Sequence, residues 1–119
     1  MIRRIALTLA LATTLVAGAV PANAEPLVLD TDHGYGHAEV YAWSRGYHRI
    51  LLYGEYHGFA DVRLRVHCTN GYTRTHSWTD TGPRFRFVTV VPGYVRCNYT
   101  GSIHTGGTAP VWLGIGAFS

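Results

Sequence analysis

The sequence predicts an all-β domain, a small antiparallel β-sandwich of about seven or eight strands stapled by one disulfide. Three observations carry that expectation. Short runs of β-branched and aromatic residues are punctuated by Gly, Pro, Asn and Asp about every 8 to 12 residues, and past the N-terminal segment no stretch keeps a helical period. Val62, Leu64, Val66 and Cys68 alternate with Arg63, Arg65 and His67, the period of a strand with one face buried and the other wet. Cys68 and Cys97 are the only two cysteines among 119 residues, and in an exported chain of this size they are expected to pair.

Export is itself a reading of the first residues. Arg3 and Arg4 precede an apolar run from Ile5 to Val20, and Pro21-Ala22-Asn23-Ala24 supplies the small residues of a cleavage site. Residues 1–24 are therefore expected to be a signal peptide, and residues 25–119 a single secreted, extracellular β domain. The run falls short of the roughly 20 apolar residues of a membrane span, as does the segment from Val111 to Phe118, so no span is expected once the leader is gone. Taking Arg3 and Arg4 from the 10 basic residues leaves eight against seven acidic, a formal charge of +1 in place of +3. That balance gives little overall electrostatic steering. All ten basic residues are Arg, a composition that points to a GC-rich bacterial source.

Taken in order, Leu27-Val28-Leu29 predicts a first short strand, and Asp30 to His37 reads as a loop because its Asp and Gly residues favour turns. Strands are expected at Glu39 to Ser44 and Arg49 to His57. In the second of these Ile50-Leu51-Leu52-Tyr53 is apolar on both faces, as in a central strand. Val62 to Cys68 and Tyr72 to Trp78 flank Asn70-Gly71, a hairpin signal for a type I′ turn. The second arm has no clean apolar face and reads as an edge strand. Arg84 to Val90 and Tyr94 to Thr100 follow, parted by Val91-Pro92-Gly93. After the turn segment Thr105 to Pro110, Val111 to Ile115 returns to the core, with Trp112 expected as core filling.

Cys68, Trp78 and Cys97, with the segment Gly93-Tyr94-Val95-Arg96-Cys97, resemble the disulfide, tryptophan and F strand of immunoglobulin domains, although Val95 stands where that family has its corner tyrosine. The resemblance bears on architecture only. It implies a bridge tying two sheets together, and leaves an Ig-like and a Greek-key arrangement both open. Closing a loop of 29 residues stabilises the fold by about 3.5 kcal/mol on chain-entropy grounds.

Function is less legible. Residues 25 to 61 carry six acidic groups and two Arg, whereas residues 62 to 119 carry Asp80 and six Arg. Arg63, Arg65, His67, Tyr72, Arg74, His76, Trp78, Arg84 and Arg86 are candidates for one basic, aromatic-studded face that would bind an anionic polymer, a glycan or a protein partner. The bland counterpart is that these arginines pair across strands with the acidic half. Asp30, Asp32, His33, His37 and Glu39 offer five possible metal ligands, but Gly34 and Gly36 oppose the helix that gives an H-x-x-x-H pair its usual meaning, so no tight metal is expected. No other cofactor is implied, and no residue is assigned a catalytic role. The expected function is a secreted, non-catalytic binding module. The alternative is a small ribonuclease-like hydrolase drawing on Glu55, His57, His67, His76 or His104 with Arg. Two histidines and a glutamate converging in one concave pocket would favour the hydrolase.

Overall fold

A computed structural model describes residues 26–119; the expected leader and its cleavage point before Glu25 lie outside them. Eight antiparallel strands form two four-stranded sheets: β1 (Leu27–Tyr35), β2 (His37–Ser44), β3 (Arg49–Glu55), β4 (Ala60–Cys68), β5 (Thr73–Asp80), β6 (Arg84–Val90), β7 (Cys97–His104) and β8 (Pro110–Phe118). The sheet orders are β1-β8-β3-β6 and β2-β7-β4-β5. This is the double Greek key of a jelly roll, so of the two sandwich arrangements the Greek-key one holds. Among the described residues no helix is long and apolar enough to cross a membrane.

The core lies between the sheets, and the alternation seen in β4 builds its half of it. Val62, Leu64, Val66 and Cys68 are buried while Asp61, Arg63, Arg65 and His67 are exposed. Facing them are Ile50 and Leu52 of β3 with Leu113 and Ile115 of β8. Each such side chain taken wholly from water contributes about 1.5–3 kcal/mol before conformational entropy is charged against it. Gly101 is the point of closest approach. A Cβ there would stand 2.6 Å from Leu52 Cδ1 and 2.9 Å from Val40 Cγ2, so the missing side chain is the space Leu52 fills. Inside this core the hydroxyls of Ser44 and Tyr99 satisfy each other at 2.7 Å, which removes the cost of burying either alone.

The two open sides of the sandwich close differently. Where β5 and β6 meet, Trp78 lies against Phe87 and Phe85, with ring centroids 4.8 and 5.7 Å away, and His76 lies 4.9 Å from Phe87 with Nε2 3.0 Å from Thr89 Oγ1. Asp80 accepts hydrogen bonds from both Tyr56 Oη and Trp78 Nε1. Where β1 and β2 meet, carboxylates replace rings: Asp32 Oδ2 accepts the backbone N–H of Glu39 and Asp30 Oδ2 that of Tyr41, each at 2.9 Å.

Four expectations change. Asp30 to Tyr35 is strand and not loop, because it has a partner, β8, which pairs from Asp30↔Ile115 to Tyr35↔Pro110; ladder pairing overrides local turn preference. Only Gly36 (φ 78°) turns the chain there, and a Cβ on it would collide with Gly107 O. The β4–β5 turn is centred one residue earlier than a type I′ turn at Asn70-Gly71: Gly71 N donates to Cys68 O at 3.0 Å, Gly71 takes the positive φ (91°), and Asn70 Oδ1 accepts from Tyr72 N. The disulfide Cys68–Cys97 forms, but within one sheet. The cysteines face each other across neighbouring strands β4 and β7, so they do not tie two sheets together as the immunoglobulin likeness implies. Trp112 is the fourth. It lies on the outside of its sheet, half-buried, because inward positions of β8 fall to Val111, Leu113, Ile115 and Ala117.

Candidate functional site

The site is a cleft on the outer face of the β1-β8-β3-β6 sheet, at the end where β3 finishes and β8 begins. Register puts one side chain from each strand in a row: Arg84 opposite Glu55, Glu55 opposite Trp112, Trp112 opposite His33. The next row holds Arg86, Tyr53, Gly114 and Thr31. Gly114 has no side chain to occupy the sheet surface, and the Tyr53 ring lies in that space, its Cζ 2.5 Å from where a Cβ would be. Tyr53 and Trp112 thereby come together, ring centroids 5.2 Å apart and tilted by 59°. They form an aromatic floor with guanidinium, carboxylate and imidazole groups around it.

Two adjoining hollows open on this floor, of about 390 and 310 Å³, and they share Glu55, Arg84 and Trp112. The larger adds His33 and His57, the smaller Tyr53 and Arg86. Burial pushes the Tyr53 phenol above its usual range, against the pull of the Arg86 charge, so it stays neutral with a hydroxyl that both donates and accepts. Glu55 and Arg84 face each other across strands, yet the histidine–carboxylate contact of His37 with Glu39 is the one salt bridge among the described residues. Both polar heads of the row are thus open to a ligand.

The nine residues read as one basic face divide among three surfaces. Arg63, Arg65 and His67 are together on the outer face of β2-β7-β4-β5. Tyr72 precedes β5 and packs against the core, with the Arg74 guanidinium 5.9 Å from its ring; Arg74, His76 and Trp78 belong to the other side of β5, where His76 and Trp78 close the seam against β6. Arg84 and Arg86 are on the outside of the opposite sheet, in the cleft. Strand parity placed Arg63 with Arg65 and Arg84 with Arg86, but parity does not say which sheet a strand joins. Of these arginines only Arg84 stands across a strand from a carboxylate of the acidic half, Glu55, and none lies within ion-pair distance of a carboxylate among the described residues.

The five possible metal ligands are also separated. Asp30 and Asp32 turn toward β2 and hold its backbone, His33 enters the cleft row, and His37 and Glu39 lie on the outside of the second sheet. No group of three or more His, Cys, Asp or Glu side chains able to hold a metal occurs among the described residues. Of the possible catalytic groups, Glu55 and His57 do converge with another histidine, His33, in one concave site. His67, His76 and His104 lie elsewhere.

Sequence reasoning missed Trp112 and Tyr53 as site residues, and named His33 only as a possible metal ligand. A signal was present in Val111-Trp112-Leu113-Gly114-Ile115-Gly116, where Trp and Gly alternate with aliphatic residues, the period of a strand covered on one face only.

No protein-family model and no curated protein matches this chain. Among solved structures it is similar to TmCBM61 in complex with beta-1,4-galactotriose, at 19% identity and a TM-score of 0.45, over 75% of this chain and 63% of that one. It is also similar to a Family 16 Carbohydrate Binding Module-2, at 12% identity and a TM-score of 0.36, over 75% of this chain and 72% of that one. The chain thus spans less than two thirds of the first of these structures.

Proposed function

We propose that the chain is a secreted, non-catalytic module that binds carbohydrate in the Trp112 cleft. One observation carries the reading: two rings, Tyr53 and Trp112, tilted by 59° to each other, line an open cleft beside an unpaired carboxylate and an unpaired guanidinium, Glu55 and Arg84. A sugar ring needs both kinds of surface. Its C–H face packs on aromatic rings, and its neighbouring hydroxyls fit planar, forked groups that accept or donate two parallel hydrogen bonds. Export is supported by the Cys68–Cys97 bond, since disulfides persist in oxidising compartments, and residues 25–119 are taken as the single exported domain.

The test is a glycan screen on the purified protein followed by calorimetry on the best ligand. Trp112→Ala should weaken binding by about tenfold or more while leaving the melting temperature within a few degrees. Full-strength binding by that variant would remove the cleft from the reading.

The convergence of His33, Glu55 and His57 with Arg84 favours a second reading, a hydrolase that cleaves RNA. There one group would take the 2′-hydroxyl proton as O2′ bonds to phosphorus, and another would protonate O5′ as the P–O5′ bond breaks. Binding is the better account because all four groups are exposed, whereas acid–base and charge stabilisation gain their strength where water is excluded. RNA cleavage by the wild-type chain that disappears in Glu55→Gln and His57→Ala would reverse the order of the two readings.

A further inference from the structure

The outer face of the β2-β7-β4-β5 sheet points to a second binding site, on the side of the molecule away from the cleft. Its register sets out three inner rows: Glu39, Ser102, Arg63 and Ser77; then Tyr41, Thr100, Arg65 and Thr75; then Trp43, Asn98, His67 and Thr73. The middle of this face is therefore two arginines on β4 bordered on both sides by hydroxyls. Neither arginine is within ion-pair distance of a carboxylate among the described residues.

The carboxylates that share the face are already engaged. Glu39 accepts from the Tyr41 hydroxyl and contacts His37 Nε2 at 3.3 Å, and Asp61 Oδ1 accepts from Thr79 Oγ1 at 2.8 Å. At the β2 edge two rings stand out of the surface, Tyr41 at 62% and Trp43 at 56% exposure, and the Arg96 guanidinium lies 4.5 Å from the Trp43 ring centroid. Two large aromatic side chains left that exposed side by side contribute little burial to the fold. The face thus combines three guanidinium groups unpaired with any carboxylate among the described residues, rows of hydroxyls, and a projecting aromatic edge.

We propose that this face binds an acidic polysaccharide, a chain of uronate-type sugars, independently of the cleft. The arginines would take the carboxylates, the Ser and Thr rows the hydroxyls, and Tyr41 with Trp43 the C–H face of a sugar at the β2 edge. Charge density selects this partner over nucleic acid. Duplex DNA carries one charge per about 1.7 Å and its binding faces are strongly basic; here three guanidinium groups are set against two carboxylates.

Calorimetry of the full chain with polygalacturonate, neutral galactan and a single-stranded oligonucleotide tests this. Polygalacturonate should bind, and binding should weaken by about tenfold between 50 and 200 mM salt if two charged contacts are made. Arg63→Gln with Arg65→Gln should abolish it without shifting the melting curve, and Trp43→Ala should weaken it. Trp112→Ala should leave it intact, which separates failure here from failure of the cleft. Polygalacturonate binding that survives the double arginine variant, or that vanishes in Trp112→Ala, overturns the proposal. So does oligonucleotide binding as tight as polygalacturonate binding and equally sensitive to the arginines.

Discussion

Asp32 Oδ2 accepts the backbone N–H of Glu39 at 2.9 Å, a contact from the edge of one sheet to the edge of the other. With Asp30 doing the same for Tyr41, two side chains stand in for the strand that β2 lacks on its free side. A hydrogen bond to a charged acceptor contributes about 1.5–3 kcal/mol, less where water competes. Asp32→Ala is expected to destabilise by roughly 1–2 kcal/mol in urea titration, and Asp30→Ala, at an exposed contact, by less. With both carboxylates so employed, a chelator should leave the melting temperature unchanged. A drop on adding EDTA that zinc restores would show that the two aspartates also serve a metal.

The disulfide offers a separate check. Intact mass should be two hydrogens below that of the reduced chain, and Cys68→Ala with Cys97→Ala should cost up to about 3.5 kcal/mol, the loop-entropy figure for a separation of 29 residues. Residual structure in the reduced unfolded chain would lower that cost. Two alkylatable thiols in the native protein would remove the staple altogether.

Two glycines distinguish core from cleft. Gly101→Ala forces a methyl against Leu52 and Val40 in the packed interior and should cost about 1–3 kcal/mol. Gly114→Ala meets the Tyr53 ring first, on the outer face, so it should move that ring off the cleft floor and weaken sugar binding with a smaller loss of stability. Equal stability losses in the two variants would mean that Tyr53 is held as rigidly as the core.

His76 gives stability a dependence on pH. Burial against Phe87, helped by the positive charge of Arg74, pushes its imidazole below the ordinary range. A depressed folded value means that the unfolded chain takes up the proton first. The contribution is therefore complete above about pH 6.5 and is lost as pH falls through the folded value. His76→Phe keeps a ring in the seam and should flatten that part of the stability-against-pH curve. An unchanged slope would assign it to other groups.

How much of this the sequence disclosed depended on whether the signal was local. The β4 alternation and the two-sided apolarity of Ile50 to Tyr53 report a strand's own environment, and both placed their strands correctly, with β3 flanked by β8 and β6. Asp30 to Tyr35 could not be read that way, because what makes it a strand is β8, far along the chain. The same holds for the arginines: Arg65 and Arg86 occupy equivalent outward positions on opposite sheets, and only the order of strands decides that. Trp112 was hidden by hydrophobicity alone, since an apolar strand reads as buried on both faces unless the glycines alternating with its aliphatic residues are noticed.

The pairing of β1 with β8 also has a mechanical consequence. Leu27 pairs with Ala117 at one end of that ladder, and His33 pairs with Trp112 toward the other, about 17 Å away along the strand. Both ends of the described chain therefore lie at the end remote from the cleft. Tension drawn through both sides at once would pull β1 and β8 apart at the Leu27–Ala117 end. It would peel their hydrogen bonds one after another, where shear would load them together. Under load the molecule should yield first at that end, with the ladder beside Trp112 the last part of the seam to open.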